Sequence, residues 1–159
     1  MMRIGYGNDI HRLEAGRTLI IGGVGIDSDV GAVGHSDADT LTHAITDAIL
    51  GAISAGDIGQ HFPDRDPRWQ GADSFVFLKE AARLMRDRGY EICNIDSTIS
   101  LERPKLRSHI DQMRSNIAAA LGISVDQVSV KAKTGEGVDA VGEGRAIRVD
   151  SVVLLKLAR

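Results

Sequence analysis

The sequence predicts an α/β fold, an α+β sandwich whose mixed sheet carries helices on one face, in a single domain spanning residues 1–159. Three observations carry this reading. Segments with apolar residues at alternate positions are interleaved with segments where they recur every three to four residues. The length suits one domain that closes a core without staples. No repeat or linker divides the chain, and strands and helices mixed in this order bury themselves as a sheet layer against a helix layer.

Residues 3–13 and 18–28 read as strands, with Gly22 and Gly23 as a bulge or turn. In HSDADTLTHAITDAILGAISAGD, Leu41, Ile45, Ala48, Ile49 and Ala52 recur at helical spacing. Ser36 with Asp39 resembles a capping box, and Gly56 suits the stop. Pro63 and Pro67 make 57–73 a long loop. Ser74 is placed to cap a second helix with Phe75, Leu78, Ala82 and Met85 as its apolar stripe, ended by Gly89. EICNIDSTISLE is a half-polar strand, with Cys93, Ile95, Ile99 and Leu101 facing one way and Asn94, Asp96, Thr98 and Ser100 the other. A third helix runs from about Ser108 to Leu121, with Ile110, Met113, Ile117 and Leu121 inward and Gly122 as its C-cap. QVSVKAKT is a strand and GEGVDAVGEGR a glycine-rich loop. AIRVDSVVLLKLA is the last strand, with Ile147, Val149, Val153, Leu155 and Leu157 on one face. The polar face of the 92–101 strand needs water or cover, and a second copy of the chain is a natural cover, so an oligomer is expected.

A net charge of −3 with interspersed signs argues against a nucleic-acid surface, and 4% aromatics argues against base-stacking platforms. The single cysteine, Cys93, excludes an internal disulfide and fits a reducing compartment. No charged segment followed by an apolar run opens the chain, and TLIIGGVGI and VVLLKLA are too short to cross a bilayer. A cytoplasmic protein without membrane partners is the expectation.

The chemistry starts at GNDIH, residues 7–11. Asp9 and His11 sit at i and i+2 of a strand and project from the same face. Alone, D-x-H is usually a solvated polar face. His43 lies on the first helix off its apolar stripe and completes a two-histidine, one-carboxylate set. Three protein ligands with an open fourth position is the pattern of catalytic zinc, and the same set suits non-haem Fe(II). Asp47, one turn beyond His43, or a backbone carbonyl is placed to orient the imidazole. His35 and Ser36 precede a helix N-terminus, a place for a phosphate or for an ordinary polar cap. Asp57, Asp64 and Asp66 lie on the loop. In K-A-K-T-G-E, Lys133 and Thr134 can cradle a phosphate and Glu136 can hold a hard cation such as Mg²⁺. His61 and His109 read as surface residues and Trp69 as a loop anchor.

In one order across essentially the whole chain stand D-x-H at 9–11, HSDAD at 35–39, H-A-x-T-D-A at 43–48, G-D-I-G at 56–59, FPDRDP at 62–67, R-P-K at 103–105 and K-A-K-T-G-E at 131–136. This combination resembles the 2-C-methyl-D-erythritol 2,4-cyclodiphosphate synthase family of the non-mevalonate isoprenoid pathway. The resemblance implies a homotrimer of α/β subunits packed around a central axis, with active sites at the subunit interfaces. It implies a CMP-releasing phosphorus–oxygen lyase. In 4-diphosphocytidyl-2-C-methyl-D-erythritol 2-phosphate, the 2-phosphate attacks the β-phosphorus and CMP leaves. By the same likeness Asp9, His11 and His43 bind one Zn²⁺ per subunit, and Glu136 holds a Mg²⁺ or Mn²⁺ on the diphosphate. His35 and Thr134 take the positions credited with stabilising the transition state. Ser36 and Lys133 adjoin the phosphates, and Asp57, Ile58 and Gly59 meet the methylerythritol. The loop with Phe62, Asp64 and Asp66 closes over that end. Leu101, Pro104, Lys105, Leu106, Arg107 and Ala132 line the cytosine pocket of a neighbouring subunit.

The chain departs from the family pattern at three places. Ala38 replaces the glycine of HSDGD, where a methyl at the first helical turn is expected to be tolerated. Lys133 stands where threonine is often seen. V-G-E-G-R lacks the G-R-G-E order, so Glu143 and Ala140 take the places of an arginine and an aromatic associated with an isoprenoid diphosphate on the trimer axis. Such a ligand is therefore not expected there in the usual manner, the alternative being that the loop slides so that Arg145 takes over the anion role. Two other readings stay open: a non-haem iron enzyme built on the same Asp/His/His set, and a non-catalytic trimeric module that binds isoprenoid diphosphates.

Overall fold

Gly5 and Gly7 decide how the first strand packs. A computed structural model describes residues 1–158. In it β1 (Met2–Ala15) runs against α1 (Thr40–Ala52) so closely that a methyl on Gly5 would stand 1.9 Å from the Ala48 carbonyl oxygen, and one on Gly7 2.2 Å from that of Ala44. The helix answers with small residues, Ala44, Ala48 and Ala52, all buried.

Around this pair the chain adds β2 (Leu19–Ile21), β3 (Val24–Ile26), β4 (Val30–Ala32), α2 (Ile58–His61), α3 (Phe75–Asp87), β5 (Tyr90–Ser100), α4 (Ile110–Leu121), β6 (Val128–Lys133), α5 (Asp139–Gly142) and β7 (Ala146–Leu157). Five strands form one sheet in the order β4-β1-β7-β5-β6. Among the described residues only β5 and β6 pair in parallel, so the sheet is mixed, as expected. α1, α3 and α4 cover one face. Leu41, Ile45 and Ile49, Leu78 and Met85, and Met113 and Ile117 pack there against Ile95, Ile99, Ile147, Val149, Val153 and Leu155. The other face is open in the single chain, with Ile4 71%, Tyr6 56% and Ile10 58% exposed. Tyr6 donates to Asp150 (2.6 Å) on that face, and Lys131 pairs with Asp96 (2.5 Å).

Several boundaries differ from the sequence reading, each for a tertiary reason. The 18–28 segment is not one strand. Gly22 and Gly23, at φ 57° and 70°, fold it into the β2–β3 hairpin, because a two-residue turn of that hand matches the strand twist. Asp39, not Ser36, caps α1. It is fully buried and accepts from Thr42 N–H (3.0 Å), and also from Gly22 and Gly23 N–H (2.9 and 2.8 Å), which ties the hairpin to the helix. Ala38 lies before the cap with φ 56°, a left-handed conformation that glycine adopts at less cost, so its methyl is not a first-turn methyl. The 57–73 segment contains α2 and a 3₁₀ turn at Pro67–Trp69. An irregularity between Ile92 and Asn94 shifts β5, so Ile92 is buried in place of Cys93. Ser97 also faces inward and hydrogen-bonds Ser151 from β7. Leu157 is 47% exposed because the inward face ends at Leu155. Gly122 caps α4 at φ 65°, as read.

Gly7→Ala is expected to cost about 3 kcal/mol, the upper end of overpacking effects, because the methyl meets main chain that cannot rotate away. Gly25→Ala, with nothing near the added methyl, is the control. Urea denaturation midpoints check it, and equal midpoints would contradict the close β1–α1 contact.

Candidate metal centre and adjoining cavity

The β1–α1 contact sets the register of the site. Two residues of strand advance roughly 6.6 Å and four residues of helix about 6 Å, so alternate residues of β1 keep step with successive turns of α1. Gly5 meets Ala48 and Ala52, and Gly7 meets Ala44. Asp9, next on that strand face, therefore meets His43, and His11 follows.

Asp9 Oδ2 lies 2.8 Å from His11 Nε2 and 3.0 Å from His43 Nδ1. Ligand atoms of the three residues lie within 4.8 Å of one another. The side chains are only 13–25% exposed. His11 Nδ1 is 2.7 Å from the Val33 carbonyl, which only accepts, so Nδ1 carries the proton and the neutral ring aims its Nε2 lone pair at Asp9. Two lone pairs 2.8 Å apart require a positive charge between them, a proton or a metal cation. The set thus fits a divalent cation such as Zn²⁺. In the metal-free chain a proton fills the role. Burial pushes the Asp9 carboxyl up, but the imidazoles of His11 and His43 outweigh it and hold it at about 2. Burial alone would lower His11, but Asp9 raises it above its ordinary value.

Beside this cluster opens a cavity of about 340 Å³. His35, Ser36, Ile58, Gly59, Phe62 and Asp64 line it. His35 Nε2 lies 3.2 Å from the Asp66 carbonyl, which joins the 62–66 loop to the start of α1. The Asp66 carboxylate turns away to Arg68 (2.5 Å). Asp57 caps α2 by accepting from Gln60 N–H (2.9 Å) and is not on the wall. Asp47 does not orient His43. Its carboxylate, raised by burial, accepts from Ile58 N–H (2.7 Å) and fixes the start of α2 instead. His61 is half-buried and not a surface residue, since its Nε2 lies 2.8 Å from the Ala55 carbonyl.

Trp69 is the loop anchor it was read to be, edge-on to Phe62 (5.3 Å) and Phe77 (5.7 Å). Phe77, which also lines the cavity, escaped the sequence reading. Its signal was a second phenylalanine two residues after Phe75, since one helix face cannot hold both.

The remaining candidates lie elsewhere. Leu101, Pro104, Lys105, Leu106, Arg107, Ala132, Lys133 and Thr134 line a separate cavity of about 200 Å³ beside β6. Thr134 Oγ1 is 3.3 Å from Glu136 Oε1, and Glu136 sits at φ 52°. β6 is three strands from β1, roughly 14 Å. One chain therefore does not join Glu136 and Thr134 to the Asp9 cluster.

The fold and site define a mixed-sheet protein with a candidate Asp-His-His metal site opening on a cavity. The chain belongs to the YgbB family, whose profile matches residues 2–156. A 2-C-methyl-D-erythritol 2,4-cyclodiphosphate synthase of Solibacter usitatus is 54% identical over 155 residues, 98% of each chain. The chloroplastic synthase of Arabidopsis thaliana is 54% identical over 153 residues, 96% of this chain and 66% of its own. A solved synthase structure in a CDP-bound form superposes with a TM-score of 0.90 at 44% identity, covering 97% of this chain and all of the other.

In the metal-free chain, Asp9→Asn is expected to bring the His11 titration back down, followed by imidazole NMR against pH. The Asp9 contribution to stability is present above about pH 4 and lost as pH falls through about 2. The His11 contribution is full below about pH 6.5 and lost as pH rises through its raised value. An unchanged His11 titration would contradict the shared geometry.

Proposed function

We propose that this chain cyclises 4-diphosphocytidyl-2-C-methyl-D-erythritol 2-phosphate to 2-C-methyl-D-erythritol 2,4-cyclodiphosphate, releasing CMP, as a phosphorus–oxygen lyase of isoprenoid biosynthesis. The observation that carries the reading is the convergence of Asp9, His11 and His43 on one point at the mouth of a cavity, in a chain so close to named synthases. A 2-phosphate oxygen forms a bond to the β-phosphorus. The bond from that phosphorus to the bridging oxygen breaks, and its electron pair leaves on CMP. Nucleophile and electrophile belong to one molecule, so the protein's task is positioning and charge neutralisation.

Asp9, His11 and His43 would hold Zn²⁺, which when bound draws charge from phosphate oxygens. His35 and Ser36 face the same cavity, where the phosphates would lie. Ile58 and Gly59 bound the methylerythritol end, with Asp57 at the cap behind them, and the Phe62–Asp66 loop excludes water. Glu136 would hold Mg²⁺ or Mn²⁺, while Thr134 and Lys133 would contact the diphosphate and the 101–107 segment with Ala132 would receive cytosine in the cavity these residues line.

The two halves lie on opposite sides of the sheet order, so a working site needs two copies. A homotrimer that covers the open face with Ile4, Tyr6 and Ile10 supplies them. Glu143 pairs with Arg145 at 2.5 Å, so the charge of Arg145 is offset there by a carboxylate, which disfavours an isoprenoid diphosphate on that arginine. The proposed location is the cytoplasm, consistent with one unpaired cysteine and with no helix, among the described residues, long and apolar enough to cross a membrane. No observation favours an oxygenase or a non-catalytic binding module.

Incubation with the diphosphocytidyl substrate, Zn²⁺ and Mg²⁺, followed by ³¹P NMR, is expected to give CMP and the cyclic diphosphate one for one. No CMP would refute the proposal. Glu136→Gln is expected to slow the reaction and weaken its Mg²⁺ dependence while zinc content stays whole, since a neutral amide serves a hard cation poorly. An unchanged Mg²⁺ dependence would move that role to another acid. Light scattering is expected to give three times the 17.0 kDa chain mass, and an active monomer would contradict the shared site.

A further inference from the structure

We infer that Ser74 and Asp37 are positioning residues that fix which nitrogen of His43 is offered to the cation, a reading that rests on the proposed metal centre. Ser74 occupies the N-cap position of α3 and is fully buried, yet its side chain makes no capping bond. Asp73 serves the start of that helix instead, accepting from Phe75 N–H at 2.9 Å. The Ser74 hydroxyl is turned to two other partners.

One partner is Asp37. Its Oδ1 accepts the Ser74 hydroxyl and its Oδ2 the Ser74 backbone N–H (3.1 Å). Asp37 is itself held, since Oδ1 accepts from Asp39 N–H (3.1 Å) and its own N–H donates to the Ala72 carbonyl (3.0 Å). The other partner is His43, whose Nε2 lies 2.8 Å from Ser74 Oγ. An ionised carboxylate only accepts, so the hydroxyl proton belongs to Asp37. Only lone pairs remain on Oγ to face His43, and Nε2 must therefore carry the imidazole proton. A neutral ring has one N–H, so Nδ1, the atom 3.0 Å from Asp9 Oδ2, presents its lone pair to the cation. Ser36 Oγ also approaches Nε2, at the longer 3.1 Å, while accepting from Ala38 N–H (3.3 Å) on the cavity wall. Asp37–Ser74–His43 is thus the carboxylate–histidine support of a metal ligand with a hydroxyl inserted. A helix cap alone has no use for this arrangement.

The test uses the full chain with zinc alone. Chelator competition is expected to show zinc bound about 10–100-fold more weakly by Ser74→Ala, with Ser74→Thr recovering most of the affinity. Proton–nitrogen NMR of the zinc-loaded unmodified chain is expected to show the His43 proton on Nε2 and the metal shift on Nδ1. Equal affinity in Ser74→Ala, or a proton on Nδ1, overturns the inference. The spectrum decides it even if Ser74→Ala does not fold. An unmodified chain that binds no zinc overturns the metal centre itself, a distinct failure.

Discussion

Main-chain contact between β1 and α1 is the constraint on which the rest depends. Without side chains at Gly5 and Gly7, a helix backbone can lie on a strand backbone, and the two advance in step. A helix further out would lift His43 away from Asp9. The contact also explains why Asp39 is buried beneath the β2–β3 hairpin: the start of a helix pressed this deep must find acceptors for its N–H groups inside the protein.

The electrostatics follow from that geometry. A buried carboxylate and two imidazoles held this close are unfavourable without a positive charge among them. A backbone carbonyl occupies the outer nitrogen of His11 and a hydroxyl that of His43, so both rings turn a nitrogen toward Asp9. The chain thus assembles an acceptor cluster that demands a cation, and it stands beside a cavity lined by His35, Ser36 and the aromatic rings of Phe62, Trp69 and Phe77. The second acidic group, Glu136, follows β6, three strands from β1, and the sheet face away from the helices is open and partly apolar in the single chain.

Much of this was legible in the sequence. Period-2 alternation put Asp9 and His11 on one face, and the apolar stripe of the first helix left His43 off it. What stayed hidden were contacts between segments distant in the chain. Ser36 and Asp39 both look like caps, and only the hairpin arriving from residues 22–23 selects Asp39. Ser74 reads as a cap and is instead a partner of Asp37, 37 residues earlier. Asp47 shares a helix face with His43, but α2 claims it first. The shift at Cys93 breaks a clean alternation through strand pairing alone. Local pattern fixes which face a residue takes, whereas the choice among competing polar partners is tertiary.

X-ray absorption of the zinc-loaded protein tests the central claim most directly, because it reads ligand type and distance around the ion. Two imidazole nitrogens and a carboxylate oxygen at about 2.0–2.2 Å, with an exchangeable oxygen in the fourth position, are the result predicted here. A sulfur shell at about 2.3 Å from Cys93, or fewer than two imidazoles, would contradict it.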